Sequence, residues 1–427
     1  MDVGGWLRSL DLGQYEEKFR ENRIDLDALA HLTDGDLDEL GVPLGDRGRL
    51  LKAIADLAAH ESLPARTQPA PAVSASAPPF ADKASRFVAH YGECLRSFMR
   101  GEHRHAHAAA EAFLREAEAE GRATEAGVAR RILGVVSLQL GDLQAARNAL
   151  EQVLSNYAHE RDREALFQYG NDSQVSATNF LALTEWHLGE FERARQLIDE
   201  STRRANELGH VSAVASALFF RTVIESRRGD APATRMSVES LLQLTQERNL
   251  KTYTNLGRMY SNWARGKLHD PEAGAVGLKE ALASYLALGN KSGAPSFHGL
   301  IAELEAMRPD LDGALTTIDA GLAMAEETGE HYTDSYLHRL RGEVLLMRSP
   351  AAAASAEDAF RTAIAIARGQ GARGYALIAS HSLARLYQST GRPDEGKAAL
   401  TPALEGFSPT PEMPEIAEAV ALLQRLG

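Results

Sequence analysis

The sequence predicts an all-α protein: a small helical domain over residues 1–60, a flexible linker over 61–83 and an α-solenoid of about eight helix pairs over 84–427. Three observations carry this. Ala and Leu dominate while aromatic residues make up 6% of the chain, a composition that favours helix because both residues lose little side-chain entropy there. No segment alternates β-branched and polar residues as a half-buried strand would. A helix-turn signal then recurs at a spacing of about 40 residues, within the range of stacked helical arrays.

The first block reads as short helices. Trp6, Leu7, Leu10, Leu12, Tyr15 and Phe19 supply the apolar positions of one or two helices broken at Gly13. Ile24, Leu26, Leu29 and Leu32 follow, and Thr33 is placed to cap a helix carrying Asp36 in its first turn. Leu37 and Leu40 face inward, Gly41 ends that helix, and Val42-Pro43-Leu44-Gly45 makes a turn. A longer helix runs from about Asp46 to His60 with Leu50, Leu51, Ile54 and Leu57 on one stripe. Five short helices in this length make a small domain with a thin core. Residues 61–83, rich in Pro, Ala and Ser, have no helical period and bury too little apolar surface to offset ordering.

From residue 84 the punctuation takes over. Gly, an acidic or polar residue, an apolar residue and an Ala five places after the Gly recur at Gly141-Asp142-Leu143 with Ala146 and at Gly189-Glu190-Phe191 with Ala194. Partial copies fall at Gly101 with Ala106, Gly229-Asp230 with Ala233, and Gly391 with Gly396. Gly266, Asp310-Leu311 with Ala314, and Ser349-Pro350 fall in step and are expected to be turns. The segment from Asn156 to Ser173 stretches the period, and Pro409–Gly427 reads as a terminal capping helix.

Bulk properties exclude several function classes. A formal net charge of −13 opposes nucleic-acid phosphate and anionic lipid. No run is long and apolar enough to span a membrane, the N-terminus has no secretory pattern, and the single cysteine cannot pair within the chain. These point to a reducing, cytoplasmic setting.

Candidate chemistry is sparse. His103, His105 and His107, with Glu111 one turn on, carry metal-ligating side chains, but a fixed site needs further ligands and supporting hydrogen bonds; a polar turn facing water is the competing reading. Cys94 has His90 one helical turn away, yet its context is that of a buried small hydrophobe. There is no phosphate-binding Gly-rich loop and no nucleophile elbow, so no catalytic residue, cofactor or metal is assigned. Aligning the turn glycines places Arg131, Asn179 and His381 in one equivalent row, with Trp186, His187 and Arg385 at neighbouring positions.

Residues 1–60 resemble a sterile alpha motif domain through Trp6-Leu7, Leu10, Leu12, Tyr15, Phe19, Ile24, Leu26, Leu29, Leu32, Asp36-Leu37, Leu40-Gly41-Val42, Gly45, Arg47, Arg49-Leu50-Leu51 and Ile54; Asp46 departs from the family, which often has His there. The resemblance implies a protein-interaction module, often associating head to tail. Here Asp34, Asp36, Asp38 and Glu39 would form one face and Arg47, Arg49 and Lys52 the other, giving a self-propagating contact. Some relatives bind RNA, but this block holds seven Lys or Arg against thirteen Asp or Glu.

The Gly-acidic-apolar turn with its Ala resembles tetratricopeptide repeats, which implies a right-handed superhelix whose first helices face the concave side. Arg131, Asn179, Trp186, His187, His381 and Arg385 would then line a partner-binding wall. More narrowly, Gly170-Asn171-Asp172, Trp186-His187-Leu188-Gly189, Leu337–Glu343, Ala365–Arg368 and Ser382–Leu386 resemble the repeat region of large bacterial proteins that also carry a sterile alpha motif, a class III nucleotide cyclase and an ATPase module. Neither catalytic module has room here. The expectation is a non-enzymatic scaffold for protein partners, self-associating through its first domain. The alternatives are a regulator of such a cyclase or ATPase, and a small-molecule sensor.

Overall fold

The computed structural model describes residues 3–10, 12–22, 24, 37, 42, 46, 50, 53–54, 83–162, 165, 169–170, 172–309 and 311–426. The chain divides into two compact units, Met1–Pro78 and Pro79–Gly427. Among the described residues there are twenty α-helices and no strand.

In the first unit, α1 (Val3–Ser9), a 3₁₀ turn (Gly13–Tyr15) and α2 (Glu16–Glu21) are described as elements, and Leu37, Asp46, Leu50, Ala53 and Ile54 are helical positions. Trp6, Leu7, Leu12, Tyr15, Phe19, Leu37, Val42, Leu50 and Ile54 form one buried cluster. Asp46 has a structural use: its carboxylate accepts the Tyr15 hydroxyl at 2.7 Å. The two charged faces (Asp34, Asp36, Asp38, Glu39 and Arg47, Arg49, Lys52), the Thr33 cap and residues 61–82 of the linker lie outside the described residues.

The second unit is built from helical hairpins. In order they are α3 (Lys83–Met99) with α4 (His103–Ala119), α5 (Ala123–Gln139) with α6 (Leu143–Asn156), α8 (Ser173–Leu188) with α9 (Phe191–Leu208), and α10 (Val211–Arg227) with α11 (Ala231–Glu247). Then come α12 (Lys251–Leu268) with α13 (Pro271–Ala287), α14 (Ala294–Glu305) with α15 (Leu311–Thr328), α16 (Asp334–Arg348) with α17 (Ala353–Gln370), and α18 (Arg373–Ser389) with α19 (Pro393–Leu404). The short α7 (His159–Asp162) lies in the stretched segment, and α20 (Glu415–Leu426) packs on α18 and α19. The first helix of each hairpin packs on the first helix of the next and makes an inner layer; the second helices form the outer layer.

The turn signal has a local cause. Gly189 follows α8 with φ of 90°, a left-handed backbone that only glycine adopts at low cost, and its N–H closes the last helical turn. Asp142, Asp230 and Asp270 then cap the outer helices, each carboxylate accepting the backbone N–H three residues on at 2.9–3.0 Å. Ala106, Ala146 and Ala194 are fully buried where outer helix meets inner helix. Gly266 corrects its expected role. It sits inside α12, and a Cβ on Gly274 of α13 would lie 2.5 Å from its Cα, so the pair marks a close backbone crossing. The turn itself falls at His269-Asp270-Pro271.

The two layers differ in polarity. On outer α9 the buried set is Phe191, Ala194, Leu197, Ile198, Ser201 and Ala205, a single stripe. On inner α8 every residue from Val175 to Gly189 is buried except Phe180, which is intermediate. It is enclosed because the superhelix returns on itself. The turn of the first hairpin meets the loop before α14, where Lys291 N–H donates to Met99 C=O at 2.7 Å. The second meets the loop before α16, with His331 N–H donating to Gln139 C=O at 2.8 Å. Glu190 in the third lies 3.8 Å from Arg373 at the start of α18, and Phe191 stacks on Phe407 with centroids 5.9 Å apart. In the fourth, Arg228 lies 3.1 Å from Glu412, just before α20.

Candidate ligand pocket on the inner helices

This return decides what the inner polar residues do. Arg131 donates to the Ser176 hydroxyl at 3.1 Å, and the Asn179 amide donates to Ser216 at 3.1 Å while accepting from Ser201 at 2.7 Å. Two of the three residues in the equivalent row, Arg131 and Asn179, therefore bond one inner helix to the next. Trp186 packs edge-on to Phe191 at 4.9 Å. His187 is wedged between the rings of Tyr332, at 5.2 Å, and Tyr375, at 4.9 Å, from the second half. Burial, and secondarily the nearby Arg227, holds the His187 imidazole well below its usual range. The expectation that Arg131, Asn179, Trp186 and His187 line an open wall is corrected: all four are at most 7% exposed and face protein.

His381 and Arg385 end up elsewhere. They line a cavity of about 390 Å³ to which α10, α12, α14, α16, α18 and α20 all contribute, a size in the range of small-ligand sites. Its acids are largely committed. Glu303 accepts from the Trp263 indole at 3.0 Å and the Tyr336 hydroxyl at 2.7 Å, with Lys267 at 3.7 Å. Glu343 accepts from Arg339 at 2.6 Å and Ser382 at 2.9 Å. Burial raises the pKa of Glu415, favouring its neutral form, and burial, with Arg385 beside it, lowers that of His381.

Arg227 is the exception. Its guanidinium donates to Ser296 at 2.6 Å and lies 5.7 Å from the centre of the Tyr336 ring, and its Nε has no partner. Among the described residues no carboxylate pairs with it. At the mouth, Met307 and Met347 are 50% and 56% exposed, and Arg385 and Glu418 are exposed beside them. Sequence reasoning missed Arg227, Tyr336, Arg339 and Tyr375 because no repeat position marks them.

The other candidates separate. His103 is fully buried and its Nε2 lies 3.3 Å from Glu330; His105 lies 3.3 Å from Glu93, and His107 3.8 Å from Glu111. Three histidines thus go to three acids, and among the described residues no group of three could hold a metal ion. His103 also corrects the reading of this segment as a turn facing water. Cys94 is buried, its thiol raised to about 11 by burial, and His90 is bonded to Glu116 at 2.7 Å.

The class is a sterile alpha motif domain joined to a helical-repeat unit. Residues 1–58 match the SAM domain (sterile alpha motif) family. Over 57 residues the chain is 44% identical to Ankyrin repeat and SAM domain-containing protein 6 of Danio rerio, 13% of this chain and 8% of that protein. Over 258 residues it is 22% identical to an uncharacterized protein of Rhizobium meliloti, 60% of this chain and 25% of that protein. The chain thus spans a quarter or less of these curated relatives. Among solved structures it is similar to a Rap protein complexed with competence and sporulation factor (TM-score 0.48, 11% identity, 80% of this chain and 98% of that one). It is also similar to yeast Tom70 (TM-score 0.39, 13% identity, 94% and 79%).

Proposed function

We propose that this chain is a non-enzymatic interaction protein: the sterile alpha motif associates with copies of itself or with another such domain, and the inner pocket of the repeat unit receives a ligand that couples to that association. The observation that carries this reading is the pocket. Six inner-layer and terminal helices converge on this cavity and leave there a guanidinium with which no carboxylate among the described residues pairs. Opposite charges at Asp34, Asp36, Asp38, Glu39 and at Arg47, Arg49, Lys52 support propagating association, which would concentrate the pockets and raise avidity.

The Rhizobium protein favours a regulatory version. Its match of 258 residues is longer than the sterile alpha motif, so most of it falls in the repeats, and it is a quarter of a much longer chain. A repeat unit that elsewhere is part of a longer chain is suited to engage such a chain in trans.

The test is the solution mass of the full chain beside the double variant Asp36→Lys, Asp38→Lys, by light scattering at matched concentration. Wild type is expected as an oligomer and the variant as a smaller species. A monomeric wild type, or equal masses, would remove the association half of the proposal.

A further inference from the structure

The pocket has a deep end, a wall and a mouth of different chemistry. We propose that it binds a monocarboxylate carried on an apolar body, the carboxylate against Arg227 and the body along Leu300, Leu340 and Ile378 to the two methionines at the mouth. This rests on the reading of the cavity as a ligand site given above, and adds the ligand's class.

Charge distribution selects the carboxylate. Arg227 keeps a hydroxyl and a ring face as its partners, and its Nε donates to nothing. A part-buried guanidinium without a counter-ion is costly, and a carboxylate supplies the opposite charge and an acceptor for it. The Tyr375 hydroxyl, on a residue 7% exposed that lines the same cavity, is buried and also lacks a partner.

Valence and shape narrow the class further. A dianionic phosphate would face Glu303 and Glu343 across the cavity, with Lys267 and Arg339 already engaged by them. A cation would find each of those carboxylates already accepting from two donors. Leu300 and Leu340 are 3% and 4% exposed, and Met307 and Met347 extend the apolar wall outward. Burial of an aliphatic body against these side chains removes apolar surface from water and favours binding. Arg385 and Glu418 at the mouth offset one another, leaving the rim without a strong preference.

Two sources share this chemistry, a free aliphatic carboxylate and the C-terminus of a peptide ending in apolar residues. The experiment titrates the full chain calorimetrically with octanoate, with N-acetyl-Leu-Val-Leu bearing a free carboxylate, and with the same tripeptide as its amide. One carboxylate is expected to bind at one site per chain, and the amide at least tenfold more weakly. Octanoate alone identifies a free aliphatic acid; the tripeptide identifies a peptide end. Arg227→Gln is expected to weaken the bound probe at least tenfold and Arg227→Lys less. Met347→Trp, a change at an exposed position that should leave the melting temperature unaltered, is expected to block entry. If neither carboxylate saturates, or if Arg227→Gln binds as wild type, the inference is overturned. If the amide binds as tightly and Met347→Trp abolishes it, the ligand class is overturned while the pocket itself stands.

Discussion

The inner helices of the third and eighth hairpins both carry polar side chains among their apolar ones, yet the superhelix uses them differently. On α8, Asn179, Thr184, Glu185 and His187 are all at most 3% exposed, because α5, α6, α9, α10 and the returning α18 surround it. On α18, Tyr375 closes against α8, but ten residues along, about 15 Å of helix at 1.5 Å per residue, Arg385 is exposed at the mouth of a cavity. The difference lies in the return of the chain. Where the second half meets the first, polar groups are spent on stacking; at the cavity mouth Arg385 reaches the surface.

The seam between halves offers the largest test of this contrast. Glu330 is fully buried, accepts from Gly293 N–H at 2.7 Å and faces His103. Glu330→Ala strands both partners and is expected to destabilise the repeat unit by about 3 kcal/mol, read as a lower urea midpoint. A wild-type midpoint would mean the seam contributes little.

Two turn glycines sharpen the comparison. Gly189 has φ of 90° and its added Cβ would lie 2.8 Å from Phe407 across the seam; Gly229 has φ of 71° and open space around it. Gly189→Ala is expected to cost about 2 kcal/mol or more, combining backbone strain with the clash, and Gly229→Ala about 1 kcal/mol. Equal costs in thermal denaturation would argue against contact at the third turn.

The smallest effect is in pH. His187 stays neutral in the fold because burial depresses its pKa below the ordinary 6.5. The unfolded chain therefore binds a proton that the native chain does not, and stability falls as pH drops below about 6.5, by up to about 1.4 kcal/mol per unit for this group. His298, His338 and His381 are shifted the same way by burial. His187→Phe is expected to lose about 1 kcal/mol less than wild type between pH 6.5 and 5.5, measured by urea titration at each pH. An unchanged slope would place the proton elsewhere.

Much of the helical unit was legible because its signals are local. Gly141, Gly189 and Gly229 end inner helices, and Ala146 and Ala194 mark where outer helices pack closely. Gly266 misled because a close crossing of two helices and a turn both call for glycine. A recurring ion pair also went unread: Arg147 with Glu185 and Arg195 with Glu225 join each outer helix to the next inner one, from equivalent positions six residues after and four residues before turn glycines. Arg131 and Asn179 were placed on the right row but assigned the wrong use, since sequence alignment identifies a face without saying what covers it.

The order of helices, their caps and the small residues at their crossings follow from neighbours within a few residues, and the amino-acid sequence alone determines them. The meeting of Gly189 with Phe407, the burial of His187 between two distant tyrosines and the unpaired charge of Arg227 depend on how small rotations add up over many hairpins. That sum is a property of the packed superhelix, and only the tertiary structure decided it.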